Sequence, residues 1–569
     1  MKKKRWKEKS LPDPLEVSAL ADSLNISATL VQLLFIRNIK SFQSARDFFR
    51  PSLDQLHDPF LMEGMDIATS RVISAITGNE KITVYGDYDV DGICSTALLY
   101  MFLKQLGANV SYYIPNRLKD GYGISEKGID CVKEQGTSLM ISVDCGITAN
   151  AEVSYAKTLG IDVIICDHHQ PKESIPPAFA VLDPLVPGCN YPFKYLSGAG
   201  VAFKLTQGLA NRIGRKEMPY QFLDLVALAA SADIVPLVDE NRVLVKYGID
   251  IINSQPRLGV AALLRRSGIE PGGLSSGQII FSLAPRINAV GRMGDALKAV
   301  ELMLTNDPDE AERLSGILES ENLERKKIDE ETLNEALSQV DLLGDMENNL
   351  SIVLHNSGWH PGVIGIVASR LVEKYSRPTV MLTTVDGIAK GSARSIGSLN
   401  IYDILLSCQD LLLHFGGHQA AAGLAVPLEN LAEFIARFNS IVKEKLADED
   451  LRPLIEIDSH IKFVDLTPKF FRKLDHFTPF GPGNPKPIFL ASGLESVGSA
   501  RIVGTNHLLF CVRQIQCERI FDCIGFGLGD HLQTITNQKR FEMLFTIDSM
   551  YKDGKLLPQF KVIDIRPEE

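Results

Sequence analysis

Between residues 81 and 169 the chain repeats one phrase, a short apolar run followed by a helical pattern. ITVYG leads into ICSTALLYMFLKQLG, ANVSYYIP into ISEKGIDCVKEQG, SLMISVDCG into TANAEVSYAKTLG, and IDVIICDHH closes the series. Strands alternating with helices in this way predict a doubly wound parallel sheet, with Gly107 standing where a helix C-cap glycine belongs. Such sheets bind their ligands beyond the carboxyl ends of the strands. Acids collect at that edge: Asp87, Asp89 and Asp91 after the first strand, Asp144 after LMISV, and Asp167 with His168 and His169 after DVIIC. Asp233 adds another within the apolar run LVALAASADIVPLV, where an unpaired carboxylate is costly if buried.

Aspartates at alternate positions repel one another, and each loses solvation on burial. An isolated DxDxD is most simply a solvated acidic turn. Four sequence-distant segments bringing acids and histidine to one rim are better explained by a metal site. Carboxylates with one or two imidazoles suit Mg²⁺ and especially Mn²⁺, and the thiolates of a structural zinc site are missing. Five or so acids exceed the needs of one ion. Two ions roughly 3.5 to 4 Å apart, sharing a carboxylate, would neutralise them and clamp both oxygens of a phosphoryl displacement.

A chain of 569 residues holds roughly two to four domains. Its 45% hydrophobic and 23% charged residues exclude a fibrous or extensively disordered class. The longest apolar stretch is broken by Asp233 and Pro236, so no membrane association is expected. Nine cysteines without a CxxC pair fit a reducing cytoplasm. The basic start MKKKRWKEKS, with no apolar segment behind it, reads as a solvated arm. A formal charge of −11 means that a polyanion must meet metal ions or a local basic groove.

Residues 306 to 349 are highly charged with helical spacing, and Asp307, Pro308 and Glu310 form an N-cap, N1 and N3 set. They predict a long connecting helix with a solvated charged face. A second α/β unit follows from 351: SIVLH, RPTVMLT and GIAKGSARS as strands, Pro361 to Tyr375 as a helix, and HFGGHQAAAG as a glycine-rich connection. From about 455, short β-type segments separated by Gly, Pro and Asn suggest a small OB-like barrel, a fold suited to single-stranded nucleic acid.

In order and spacing, GDYDVDG, SVDCG, DHH and ASADIVP resemble the motifs of the DHH phosphoesterase superfamily. GWHPGVIGIVASRL, GSARS and FGGHQAAAG resemble its DHHA1 substrate domain, and PRINAVGRM is similar to the RecJ-type single-strand-specific exonucleases. The resemblance implies a DHH domain over 77–295 behind an arm and helical lead-in (1–76), a connecting helix (296–350), a smaller α/β DHHA1 domain (351–450) and an OB-like domain (451–569). It implies 5′ to 3′ exonuclease action on single-stranded DNA in recombination and repair, with two Mn²⁺ or Mg²⁺ ions. A DNA helicase and a single-strand-binding protein are the implied partners.

Carried over by position, Asp89, Asp91, Asp144, His168 and Asp233 become metal ligands, with Asp144 bridging. Asp87 and Asp167 support them, and His169 orients its neighbours or touches phosphate. Tyr85 stands where phosphatase members have a histidine ligand, and Asp87 is the expected substitute. Arg117, Arg286, Ser392 and Arg394 resemble a terminal-phosphate pocket, with His360, Gly416, Gly417 and His418 as further substrate contacts. Taken singly, these residues read as a surface arginine, a tight turn, and packing or capping histidines. A rival enzyme reading is a DHH phosphodiesterase of short oligonucleotides or cyclic dinucleotides. A binding factor with a degenerate core is disfavoured by the full acid set.

Overall fold

A computed structural model describes residues 4–116, 123–293, 295–344, 349–397, 399–446, 452–537, 540–552 and 555–568. The chain forms two compact units: Lys7–Gly316 with Glu456–Glu569, and Ile317–Ile455 with the residues before Lys7. The basic start is not a solvated arm throughout. Strand β1 (Arg5–Glu8) pairs with Leu454–Ile457, Lys9 N donates to Ile457 O at 3.1 Å, and Lys9 Nζ meets Asp458 at 2.8 Å. A partner strand and an acid therefore order residues whose composition alone suggested solvation.

The helices Pro14–Leu24, Ala28–Ile36 and Phe42–Phe49 follow, the first capped by Asp13 with Pro14 at its first position and the third by a Ser41–Ser44 capping box. Their apolar faces, including Val17, Leu20, Leu30 and Leu34, enter one core with Phe463, Phe489 and Phe545 from the far end of the chain. Among the described residues no single helix is long and apolar enough to cross a membrane.

Strands β2 (Lys81–Tyr85), β3 (Asn109–Tyr113), β4 (Leu139–Val143), β5 (Asp162–Cys166) and β6 (Ala180–Leu182) form the expected parallel sheet, in the order β3-β2-β4-β5-β6. β4 is buried at every position, as a continuous apolar run covered on both faces requires. The chain steps from β2 outward to β3, then crosses back to the other side of β2 as β4. The loops after β2 and β4 thus diverge at adjacent strand ends, opening the crevice in which such sheets bind ligands.

The helix Pro308–Leu342 is capped as expected, with Asp307 Oδ1 accepting from Asp309 N at 2.9 Å. Its charges are not simply a solvated face. Arg325 and Asp329 are buried, Asp329 is bound by Arg370 Nη1 at 3.1 Å, and Glu335 accepts from Trp359 Nε1 at 2.8 Å. The smaller unit carries β7 (Ile352–His355), β8 (Thr379–Val385), β9 (Ile388–Arg394), β10 (His414–Gly417) and β11 (Ala421–Pro427), ordered β10-β11-β9-β8-β7. The glycine-rich connection is thereby corrected to a hairpin of two strands, β10 and β11. Backbone pairing with β9 stabilises residues whose side chains show little strand preference.

After β12 (Leu454–Ile457) and β13 (Ser459–His460) come β14 (Phe489–Val503), β15 (His507–Gln514), β16 (Ile520–Gly525), β17 (Phe541–Lys552) and β18 (Lys555–Pro567). The last five close as β14-β15-β16-β18-β17 and back to β14, with β16 and β18 parallel and the other pairs antiparallel. This is the five-stranded OB barrel. Phe560 stacks between Phe521 and Phe545 at centroid distances of 4.6 and 4.4 Å to fill its interior.

Candidate metal centre

The crevice between the ends of β2, β4 and β5 gathers all eight acids and histidines expected there. Their donor atoms fall into three overlapping groups, each within 4.8 Å: Asp87, Asp89 and Asp144; Asp91, His168 and Asp233; and Asp144 with Asp167, His168 and His169. His168 Nε2 lies 3.1 Å from Asp144 Oδ1, 3.7 Å from Asp233 Oδ2 and 3.8 Å from Asp91 Oδ2, so it joins the first two groups.

Local structure explains how each carboxylate is held. Asp89 caps the helix Val90–Gln105, accepting from Gly92 N at 3.0 Å, which places Asp91 in the first turn. Both oxygens of Asp91 accept backbone N–H groups at 2.7 Å, from Gly198 and Ala199 at the start of the helix Gly198–Arg212. A side chain at Gly198 would place its Cβ 2.6 Å from that of Asp144, so only glycine lets this helix end reach both acids. Asp144 has φ +61°, a left-handed conformation that aspartate tolerates better than most residues, and its N–H donates to Cys166 O at 2.9 Å.

The DHH tripeptide divides its work. Asp167 Oδ1 accepts from His169 Nδ1 at 2.7 Å and from His168 N at 2.7 Å, while Oδ2 accepts from Ile147 N at 2.9 Å. Burial raises the Asp167 carboxyl, but the hydrogen bond and charge of His169 outweigh it and hold the group at about 2. Burial conversely lowers His169, and its bond to Asp167 overrides that to give about 9. Burial and the neighbouring His169 charge push His168 down to about 4, which keeps it neutral, the form in which an imidazole can ligate a metal.

The remaining acids are crowded. Burial and the charge of Asp89 lift Asp91 to about 7. Burial and the charges of Asp91 and Asp89 lift Asp233 to about 8. Asp144 is raised well above its ordinary value by burial and by four other acids, Asp91, Asp89, Asp233 and Asp87. A hard, oxygen-rich donor set whose members resist ionisation together fits divalent cations, which would remove that repulsion.

Tyr85 takes no part. Its ring packs against Tyr113 at a centroid distance of 5.0 Å and its hydroxyl donates to Gly123 O at 3.3 Å, whereas Asp87 joins Asp89 and Asp144. Sequence reasoning missed two positioning residues in PRINAVGRM. Asn288 Oδ1 accepts from Val90 N, between Asp89 and Asp91, at 3.1 Å. A Cβ at Gly291 would lie 2.3 Å from Tyr88 O, so this helix packs directly on the DYDVDG loop. The glycine at the third position after Asn288 on one helix face was the signal available. Arg286, on the same helix, donates to Ser282 O at 2.6 Å.

In the smaller unit Arg394 Nη1 donates to Ser392 Oγ at 2.7 Å, and a Cβ at Gly365 would stand 3.0 Å from both side chains. The first turn of the helix Ile364–Tyr375 thus lies over them. Gly416, Gly423 and Ser392 fall in one row across β10, β11 and β9, with open space above both glycines. His360 Nδ1 accepts from Gly362 N at 3.1 Å, Gly417 has φ +142°, and His418 N donates across the hairpin to Ala421 O at 2.8 Å. Arg117 lies outside the described residues.

Comparison with known proteins agrees along the chain. Residues 81–230 match the model of the DHH family N-terminal domain, 348–444 that of the DHHA1 domain and 457–564 that of the RecJ OB domain. The single-stranded-DNA-specific exonuclease RecJ of Bacillus subtilis is 39% identical over 573 residues, covering 100% of this chain and 71% of that protein. The crystal structure of RecJ from Thermus thermophilus in complex with Mn²⁺ superposes with TM-score 0.85 at 31% identity, covering 99% of this chain and 80% of that one. The Mg²⁺ complex of the same protein gives 0.79 at 30% identity, covering 99% and 79%. The chain belongs to the RecJ family of single-stranded-DNA-specific exonucleases.

Proposed function

We propose that the acid cluster holds two divalent cations, Mn²⁺ or Mg²⁺, and that single-stranded DNA is shortened from its 5′ end. The observation that carries this is the pair of triads, Asp87–Asp89–Asp144 and Asp91–His168–Asp233, joined by the 3.1 Å contact of His168 with Asp144. Asp144 belongs to one triad and touches the other, which suits a bridging ligand. Mn²⁺ and Mg²⁺ in the Thermus thermophilus RecJ structures support the same reading. When bound, the ions supply a Lewis acid and a water acidic enough to attack a phosphodiester.

The chain's own residues do the rest. His168, kept neutral, presents Nε2 among three carboxylates. Asp167 fixes the backbone of His168 and the ring of His169, and protonated His169 offers a fixed cation to a phosphate oxygen. Ser392 and Arg394, opened by Gly416, provide a hydroxyl, a guanidinium and bare backbone for the extra charge of a terminal 5′ phosphate. Arg286 is a further cation for substrate phosphate. A helicase and a single-strand-binding protein that expose and deliver the strand are the matching partners, in a cytoplasmic repair setting.

Strands labelled at either end, digested with Mn²⁺ and with chelator, test this together with metal counting on purified protein. Two ions per chain and loss of the 5′ label first are expected. One ion per chain, or digestion from the 3′ end, overturns the reading.

A further inference from the structure

A chain of formal charge −11 must offer a long polyanion a local basic surface. Within the larger unit, a cavity of about 380 Å³ has such a lining, from residues that take no part in the acid cluster. Arg46 and Arg50 come from the end of the helix Phe42–Phe49, and Lys473 and His476 from the helix Pro468–Asp475 and its C-cap. Phe42 and Phe49 supply rings, and no acid is among the lining residues. Asp47 lies 3.5 Å from Arg46 Nε, but Arg50 and Lys473 have no acidic partner among the described residues. The volume falls at the low end of the roughly 300–1,000 Å³ typical of ligand pockets.

The aromatic wall is presented for contact. Phe42 is 51% exposed. Phe49 is fixed edge-on to Phe477 at 5.3 Å and to His476 at 6.4 Å, so its position costs no reordering when a flat partner arrives. Cations beside flat rings match a repeating pair of phosphate and base, and stacking accepts any base. A protein segment would have to supply acids and aromatics in one spacing, whereas every nucleotide of a strand carries both.

We propose that this cavity is an accessory binding site for one nucleotide of single-stranded DNA. Its base rests on the exposed ring of Phe42, with Phe49 and His476 at its edge, and its phosphates meet Arg46, Arg50 and Lys473. The inference rests on the single-strand specificity of the family and adds a holding site made by the N-terminal helices. Those helices are held in place by the core they share with the barrel.

The test uses the full chain in chelator, so that nothing is cut, and follows anisotropy of labelled oligo-dT, long and short, across a salt series. Arg50→Glu combined with Lys473→Glu should weaken long-strand binding by about tenfold or more, and reduce the salt slope by about 1.4, two phosphate contacts at ~0.7 each. Phe42→Ala, at an exposed position that spares the fold, should weaken it about fivefold or more with the slope unchanged. With metal restored, the losses should appear in KM for long strands. Unchanged affinity and slope in the double variant overturns the proposal, as does equal loss on long and short strands. Retained DNA binding with loss of an acidic peptide probe would make the cavity a protein-docking site and also overturn it. If the double variant melts early, Phe42→Ala decides alone. Wild-type digestion polarity, measured separately, reports on the metal and 5′-end reading whatever happens here.

Discussion

The acid cluster of the larger unit and the Ser392–Arg394 shelf of the smaller one, both assigned to phosphate in the proposed function, carry opposite charge. In the cluster, burial and mutual repulsion raise Asp91, Asp144 and Asp233, so the site is anionic and discouraged from being so. On the shelf, burial alone lowers Arg394 from its ordinary value, and a hydroxyl and an open glycine row lie beside it. In the proposed function the first arrangement would meet phosphate only through cations it recruits, and the second would meet it directly. Chemistry that must break a bond uses mobile charge density at a metal, while recognition of a strand end uses a fixed fork.

The contrast breaks most sharply at Asp144. Asp144→Ala should lower kcat by roughly 10³-fold or more, because several kcal/mol of transition-state stabilisation depend on the metals. Metal content should fall with it while the far-ultraviolet circular dichroism stays constant. Near-normal turnover with two ions still bound would dispose of the bridging role.

A second difference is one of pH. Acids raised in the folded state, from 3.8 to about 7 for Asp91 and about 8 for Asp233, make the chelated folded protein bind more protons than the unfolded chain between about pH 4 and 8. Their contribution is complete below that window and is lost as pH rises through it. The melting temperature of chelated protein should therefore fall from about pH 6 to about pH 8, and saturating Mn²⁺ should raise it by more at the higher pH. A metal-induced shift independent of pH would mean that the acids are not crowded in solution.

Asn288 sharpens the comparison, because the cluster depends on a neighbouring helix for its shape. Asn288→Ala frees the Val90 N–H and should weaken Mn²⁺ binding by about 10- to 100-fold in calorimetry, the usual cost of losing a group that orients ligands. Asn288→Asp, which keeps the acceptor, should recover part of it. Equal metal affinity in all three proteins would reduce Asn288 to a packing residue.

The smallest effect is expected on the shelf. Arg394→Ala should reduce the preference for 5′-phosphorylated over 5′-hydroxyl strands by about tenfold, at the lower end of a charge-assisted hydrogen bond. The limiting rate should change less, and metal binding not at all. A retained preference places the end-recognition elsewhere.

Much of the cluster was legible because strand and helix periods locate strand ends, and acids stood at those ends without cationic neighbours. The PRINAVGRM clamp was not, since an asparagine and a glycine on a helix carry no chemistry until a loop is brought beneath them. The hairpin at HFGGHQAAAG was misread because glycine and alanine carry almost no strand preference, and only pairing with β9 reveals it. Arg325 and Asp329 were misread as solvated because charge on a helix indicates exposure until a partner such as Arg370 is in view.

Local periodicity along the chain is enough to specify the parallel α/β class, the barrel, and which acids stand at strand ends. The order β3-β2-β4-β5-β6 was decided only in three dimensions. That order sets the ends of β2, β4 and β5 side by side and turns repelling aspartates into two triads. The same is true of the N-terminal helices, whose faces are buried by residues more than four hundred positions away. Side-chain periodicity states that a face will be buried, and only the folded chain states against what.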